Sequence, residues 1–237
     1  MNATSPTLRP ARSRGQTNFD WLQSWHSFSF GRYVDRNNMG FGPLRVINDD
    51  IVAPGAGFGL HPHDNMEILT WMLAGSLKHA DSTGNSGVIV PGDAQLMSAG
   101  RGIEHSEINA SKSEPAHLLQ IWIRPAQRDL DPAYQQKHFD SAGRNNKWQT
   151  IASPTGSDGS LVINQDATIR VTDLAAGASI VLIPAKSRRS YVHIATGQAT
   201  TEDHTSLEAG DALTLEVALP ITIRATTDTQ ILWFEFA

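Results

Sequence analysis

Gly55-Ala56-Gly57-Phe58-Gly59-Leu60-His61-Pro62-His63 opens a stretch that continues through Glu67 and an apolar run at 68–74 to Gly75. His61 and His63 stand at i and i+2, and in a β-strand such residues point to one face. Forty-two residues after His63 comes a second pair with the same spacing, His105-Ser106-Glu107. Two short strands meeting across a barrel would aim three imidazoles and one carboxylate at one point. Such a nitrogen and oxygen set suits a non-haem divalent metal (Fe, Mn, Ni, Cu, Co or Zn) and can leave a coordination position open. The plainer reading puts the four polar residues in polar loops. Both pairs lie among apolar residues and glycine turns, which favours the metal.

The same stretch has an echo. Leu60, Pro62 and Gly75 recur at the same offsets as Leu182, Pro184 and Gly197, while Ile183 and Ala185 stand where His61 and His63 would be. Pro91-Gly92-Asp93-Ala94-Gln95-Leu96 likewise returns as Ala209-Gly210-Asp211-Ala212-Leu213. A shared offset argues for duplication. The second copy then keeps the fold and lacks the metal ligands, and residues 221–225, which match the neighbourhood of His105, contain no histidine.

Short β-prone runs separated by Gly, Pro, Asn and Asp fill the chain from about residue 40, including 44–47, 67–73, 94–97, 117–123, 160–163, 191–195, 212–217 and 231–236. Close spacing of that kind predicts an all-β sandwich or barrel. Residues 131–139 are the best candidate for a short helix, and 141–146 read as linker. The first 18 residues, rich in Ser, Thr, Pro and Arg, read as a flexible arm.

The net charge of −5 gives no electrostatic reason to bind nucleic acid or an anionic membrane. The absence of cysteine excludes disulfides, Fe–S clusters and thiolate metal sites and fits a cytoplasmic protein. No apolar run approaches the roughly 18 residues of a membrane span.

Gly55-x5-His61-x-His63-x3-Glu67 resembles the first motif of the cupin superfamily, with one extra residue before Gly75. Gly102-x2-His105-x3-Asn109 resembles the end of the second motif, and the stretch from Pro91 to His105 is longer than usual. That longer form is similar to the pirin branch, whose signature matches His61-Pro62-His63, Glu67, Asp81-Ser82-x-Gly84-Asn85, Pro91-Gly92-Asp93 and Ala99-Gly100-x-Gly102-Ile103-x-His105-Ser106-Glu107. Trp21-Leu22-x-Ser24-Trp25-His26-x-Phe28-Ser29-Phe30 and Met39-Gly40-Phe41-Gly42-x-Leu44-Arg45-Val46-Ile47-Asn48-Asp49-Asp50 resemble the bacterial pirin-like quercetin 2,3-dioxygenases.

The resemblance implies a bicupin, two tandem double-stranded β-helix (jelly-roll) barrels. Residues 19–140 would be the metal-binding barrel and 147–237 a degenerate one. It implies His61, His63, His105 and Glu107 as ligands of one divalent transition metal per chain, Fe(II) first and Ni, Co, Mn, Cu or Zn next. The implied reaction opens the central ring of a flavonol with O2 and releases carbon monoxide, in a monomer. Glu107 first and Glu67 second are the candidate catalytic bases. Glu67 stands where many cupins have a fourth ligand, a role that pirins give to the carboxylate after the second-motif histidine. The competing implication is a metal-dependent regulatory factor that binds a protein partner and senses metal or redox state. His26, His79, His117, His138, His193 and His204 lack a partner at ligand spacing and read as hydrogen-bonded strand or loop residues. Trp21, Trp25, Phe28 and Phe30 read either as a substrate wall or as packing between domains.

Overall fold

The structure, a computed structural model, describes residues 5–237. In chain order the first strands are β1 (Thr7–Arg9), β2 (Gly15–Phe19), β3 (Leu22–His26), β4 (Leu44–Val52), β5 (Gly57–His63), β6 (Glu67–Ala74), β7 (Leu77–Asp81), β8 (Ser86–Ile89), β9 (Asp93–Ser98), β10 (Ile103–Asn109), β11 (Ala116–Ile123) and β12 (Ala133–His138). Then follow β13 (Gln149–Ser153), β14 (Leu161–Val162), β15 (Ala167–Leu174), β16 (Ser179–Leu182), β17 (Arg189–Thr196), β18 (Gln198–Thr201), β19 (Ser206–Glu208), β20 (Ala212–Leu215), β21 (Ile221–Ala225) and β22 (Thr229–Phe236). Helix is limited to single 3₁₀ turns such as Ser141–Gly143 among the described residues, and no helix there is long and apolar enough to cross a membrane.

Two compact units emerge: Arg14–Phe139 with Ile163–Gln165, and the segment ending at Ser13 with Asp140–Val162 and Asp166–Ala237. Each holds one seven-stranded and one four-stranded sheet. In the first unit the orders are β12-β9-β6-β11-β4-β3-β2 and β5-β10-β7-β8. In the second they are β1-β20-β17-β22-β15-β13-β14 and β16-β21-β18-β19. Strand for strand, β9-β6-β11-β4-β3 answers to β20-β17-β22-β15-β13, and β5-β10-β7-β8 to β16-β21-β18-β19. The fold is an all-β bicupin.

Local chemistry explains the echoed positions. Gly75 and Gly197 have φ of 75° and 81°, and a Cβ at either would run into backbone, Pro115 O or Asp228 O. Only glycine meets both demands. Asp93 accepts from Val90 N through Oδ2 at 3.2 Å, and Asp211 does the same from Glu208 N at 2.8 Å. Each aspartate thereby closes the turn that launches its strand.

Two expectations fail. Residues 133–138 form β12 rather than a helix, pairing antiparallel with β9 from Ala133↔Ser98 to His138↔Asp93. A waiting sheet edge overrides weak local preference. The arm is not loose over its described part. Thr7–Arg9 pairs with β20, Leu8 packs on the second unit's core, and Ala11 N donates to Asp211 Oδ1 at 2.6 Å. Gly15–Phe19 pairs with β3. The first unit thus starts at Arg14 rather than 19, and the second takes in residues before and just after the first. Residues 1–4 of the expected arm lie outside the described residues.

Candidate metal centre

β10 lies between β5 and β7 and brings the two sequence pairs together. His105 pairs with His61 on one side and Asp81 on the other. A bulge separates His105↔His61 from Glu107↔Phe58. The extra β5 residue turns Phe58 and His61 to the same side, a common use of bulges beside functional sites. One nitrogen from each of His61, His63 and His105 falls within 4.8 Å of the others.

Three observations fit a divalent transition metal at this point. His61 Nδ1 lies 2.7 Å from Gly59 O. A carbonyl only accepts, so Nδ1 carries the proton and Nε2 presents its lone pair. His105 is 1% exposed and its Nε2 is buried without a partner, an orphan that a metal would satisfy. Burial first, then the neighbouring imidazoles, pushes His63 down to about 4 and His105 down to about 3. Both are therefore neutral and competent as ligands near pH 7.

Glu107 stands two residues along β10 from His105. Its carboxylate oxygen groups with His105 and His79, again within 4.8 Å. Gln120 Nε2 donates to Glu107 Oε2 at 2.7 Å and Thr70 Oγ1 to Oε1 at 3.2 Å. Burial raises the Glu107 carboxyl above its usual range, opposed by the Gln120 bond and by His79 and His61.

These partners belong to a polar row that follows the register across five strands: Gln95 on β9, Thr70 on β6, Gln120 on β11, Asn48 on β4 and His26 on β3. All five are buried. Buried polar side chains demand partners, and they have them. Gln95 meets His79 Nδ1 at 3.3 Å, Thr70 Oγ1 lies 3.1 Å from Gln120 Oε1, and His26 is held between Thr17 Oγ1 and Asn48 Oδ1, each at 2.8 Å. Apolar rows flank it, Ile68 and Met97 on one side, Met72 and Leu118 on the other.

A cavity of about 630 Å³ opens onto the cluster. His61, His63 and Glu107 line it together with Phe19, Trp21, Phe30, Phe58 and Trp122, while His26, Asn48, Asp50 and Gln120 form its polar wall. Trp122 stands edge-on to His63, with ring centroids 4.9 Å apart. Aromatic walls with few polar groups are the usual makeup of small-molecule sites of roughly 300–1,000 Å³.

The chain matches the Pirin family over residues 7–123 and the quercetinase C-terminal cupin domain over residues 150–236. It is 42% identical to a quercetin 2,3-dioxygenase of Escherichia coli across 96% of its own length and 97% of that protein's. This chain belongs to the pirin family. Among solved structures, YhhW of Escherichia coli superposes with a TM-score of 0.93 at 41% identity, covering 98% of each chain. The bacterial pirin YhhW in complex with nickel(II) gives 0.91 at 40% identity, over 98% of this chain and 99% of that one.

Measured against the sequence reading of this pirin, His61, His63 and His105 converge and Glu107 adjoins them through His105. Glu67 does not. It lies three residues from Thr70, so strand alternation turns it to the opposite face. There it takes Ser98 Oγ at 2.8 Å and Asn164 N at 3.1 Å, with Asn164 Nδ2 nearby at 3.3 Å. It is neither in the cavity wall nor in either ligand group. Its partners make it a structural clasp between Ser98 and Asn164, away from the cavity wall.

His79 is the hydrogen-bonded strand histidine that the sequence suggests, and it also stands beside His105 and Glu107. It is fully buried, with Nδ1 3.5 Å from His105 Nδ1 and Nε2 3.2 Å from Asp81 Oδ2. The available signal was His79-x-Asp81, a third i, i+2 pair, whose register opposite Glu107 and His105 only the sheet reveals. Of the four aromatics, Trp21 and Phe30 enter the cavity wall, while Trp25 and Phe28 do not.

The second barrel shows what replaces such a site. Positions answering to Gln95, Thr70 and Gln120 are Leu213, Val192 and Trp233, adjacent in register and buried. The next residue in that row, Arg170, stacks on Trp233 at 4.3 Å. An apolar plug occupies the interior instead of a polar row.

Proposed function

We propose that this pirin is a metal-dependent dioxygenase acting on flavonol-type polyphenols, with its site in the N-terminal barrel. The observation that carries this reading is the cavity beside the imidazole cluster. A regulatory protein that used metal only as a staple would need no aromatic-walled chamber of small-molecule size reaching its ligands.

His61, His63 and His105 would hold the metal, with Glu107 completing the set from the flank of His105. When bound, the metal supplies Lewis acidity that lowers the pKa of a coordinated enol hydroxyl and a centre at which O2 can be activated. The aromatic side chains Phe19, Trp21, Phe30, Phe58 and Trp122 would bind and orient a planar substrate and exclude water. Glu107 is the group placed to accept the hydroxyl proton, because it lines the cavity and burial has made it more basic than an exposed carboxylate. Gln120 and Thr70 hold that carboxylate in place. The enolate left behind is electron-rich and reacts with O2, with ring opening and loss of carbon monoxide.

The test is O2 uptake and carbon monoxide release with quercetin, using protein loaded separately with Fe, Ni, Co, Mn, Cu and Zn. Turnover well above that of free metal in buffer, lost in His61→Ala and His105→Ala, supports the reading. Rates at the level of free metal with all six metals sink it and favour the regulatory alternative. The natural substrate and the native metal are properties of this same site, and the six-metal comparison ranks the metals directly.

A further inference from the structure

Asp49 and Asp50 are consecutive on β4 and point to opposite faces of the strand. Asp49 is neutralised by Arg14 Nη1 at 2.9 Å and His117 Nε2 at 2.6 Å. Asp50 points the other way and lines the cavity. It is 2% exposed, and its Oδ1 has no hydrogen-bond partner. Its row neighbours are Leu118 on β11 and, beyond it, Met72 on β6, both apolar, and Ser24 on β3. The Ser24 hydroxyl hydrogen-bonds the carboxyl group. The other polar groups of this wall are matched inside the barrel, His26 by Thr17 and Asn48, and Gln120 by Glu107 and Thr70.

A buried carboxyl with an open oxygen is costly to the fold. Such a group is retained at low cost if a bound molecule supplies the missing partner. We propose that Asp50 is a second polar anchor of the cavity, hydrogen-bonding a hydroxyl of the bound aromatic molecule other than the one presented to the imidazole cluster. The site then selects polyhydroxylated aromatic ligands over singly hydroxylated ones. This rests on reading the cavity as a polyphenol site, and it names the feature of the substrate that the cavity recognises. Burial, with further push from Asp49 and Glu107, raises the Asp50 carboxyl to about 7 against the opposing Ser24 bond. Near neutral pH the group can therefore both accept from and donate to a phenol.

The experiment measures anaerobic binding of quercetin and 3-hydroxyflavone to the metal-loaded chain and to its Asp50→Leu and Asp50→Asn variants, with metal content and thermal unfolding as controls. The wild type should prefer quercetin. In Asp50→Leu the quercetin to 3-hydroxyflavone affinity ratio should fall about tenfold, the loss of one hydrogen bond to a charged or acidic group. Asp50→Asn, which keeps a polar amide, should fall between the two. A ratio unchanged in both variants overturns the anchor, as does a wild type that binds both ligands equally or neither. If Asp50→Leu does not fold, the wild-type preference and Asp50→Asn still decide. Discrimination that survives in a protein consuming no O2 leaves the anchor standing and removes the dioxygenase reading, so the two failures are distinct.

Discussion

Gln120 donates through Nε2 to Glu107 Oε2 at 2.7 Å, and the two side chains reach each other from opposite sheets of the N-terminal barrel. Gln120 is placed by register between Thr70 and Asn48, so its amide cannot swing away without breaking the row. The bond orients the carboxylate that groups with His105 and His79.

Gln120→Leu, of similar size, should therefore weaken metal binding by about 10–100-fold, the usual effect of removing a ligand's supporting partner. Competition against a chelator of known affinity measures it. Unchanged affinity would mean that Glu107 needs no orientation or does not touch the metal.

His61→Ala and His63→Ala should each lose most bound metal while remaining folded, because both side chains are only partly buried and the β core does not depend on them. His79→Asn leaves those two in place and should lower metal affinity less. The reverse order, seen by metal analysis after desalting, would place the ion in the alternative His79, His105 and Glu107 group.

Each chain should bind one metal ion. In the second barrel Ile183 and Ala185 stand for the histidine pair, and Leu213, Val192 and Trp233 fill the row that supports it in the first. Two tight metals per chain, measured by elemental analysis, would contradict the equivalence of the two barrels.

Glu67→Ala should keep full metal content but destabilise the protein by about 1–3 kcal/mol, since Ser98 Oγ and Asn164 N lose a buried acceptor. Chemical denaturation combined with metal analysis separates the two effects. Loss of metal with unchanged stability would return Glu67 to the site.

The pH dependence of metal-free protein carries a signature of Asp50. Its folded pKa, about 7, lies above the ordinary aspartate value, so between roughly pH 4 and 7 the folded state holds a proton that the unfolded state has released. That stabilisation is complete below the unfolded pKa and is lost as pH rises through the folded one. His63 and His105, with pKa values pushed down to about 4 and 3, act in the opposite direction as pH rises to their ordinary value near 6.5. The difference between wild type and Asp50→Asn isolates the aspartate. Wild-type stability should decline relative to the variant by up to about 1.4 kcal/mol per pH unit over that window. A pH-independent difference in urea midpoints would show that Asp50 titrates normally.

The sequence by itself determined the two-barrel fold and the core of the site. Strand alternation fixes that His61 shares a face with His63, and His105 with Glu107, and the shared offset of Leu60, Pro62 and Gly75 from Leu182, Pro184 and Gly197, with the recurrence of Asp93 as Asp211, marks two copies of one topology. Those features are local, set by period and by backbone conformations open to few residues. The tertiary structure decided what depends on register between strands distant in sequence. It drew residues 133–138 into a sheet edge, took Thr7–Arg9 into the second barrel and brought His79 opposite Glu107. It also aligned Gln95, Thr70, Gln120, Asn48 and His26 in one row. Alternation alone says that Glu67 and Thr70, or Asp49 and Asp50, face opposite ways. Which of each pair meets the cavity follows only from closing the barrel, because a shift of one residue in pairing exchanges every inward side chain for its neighbour.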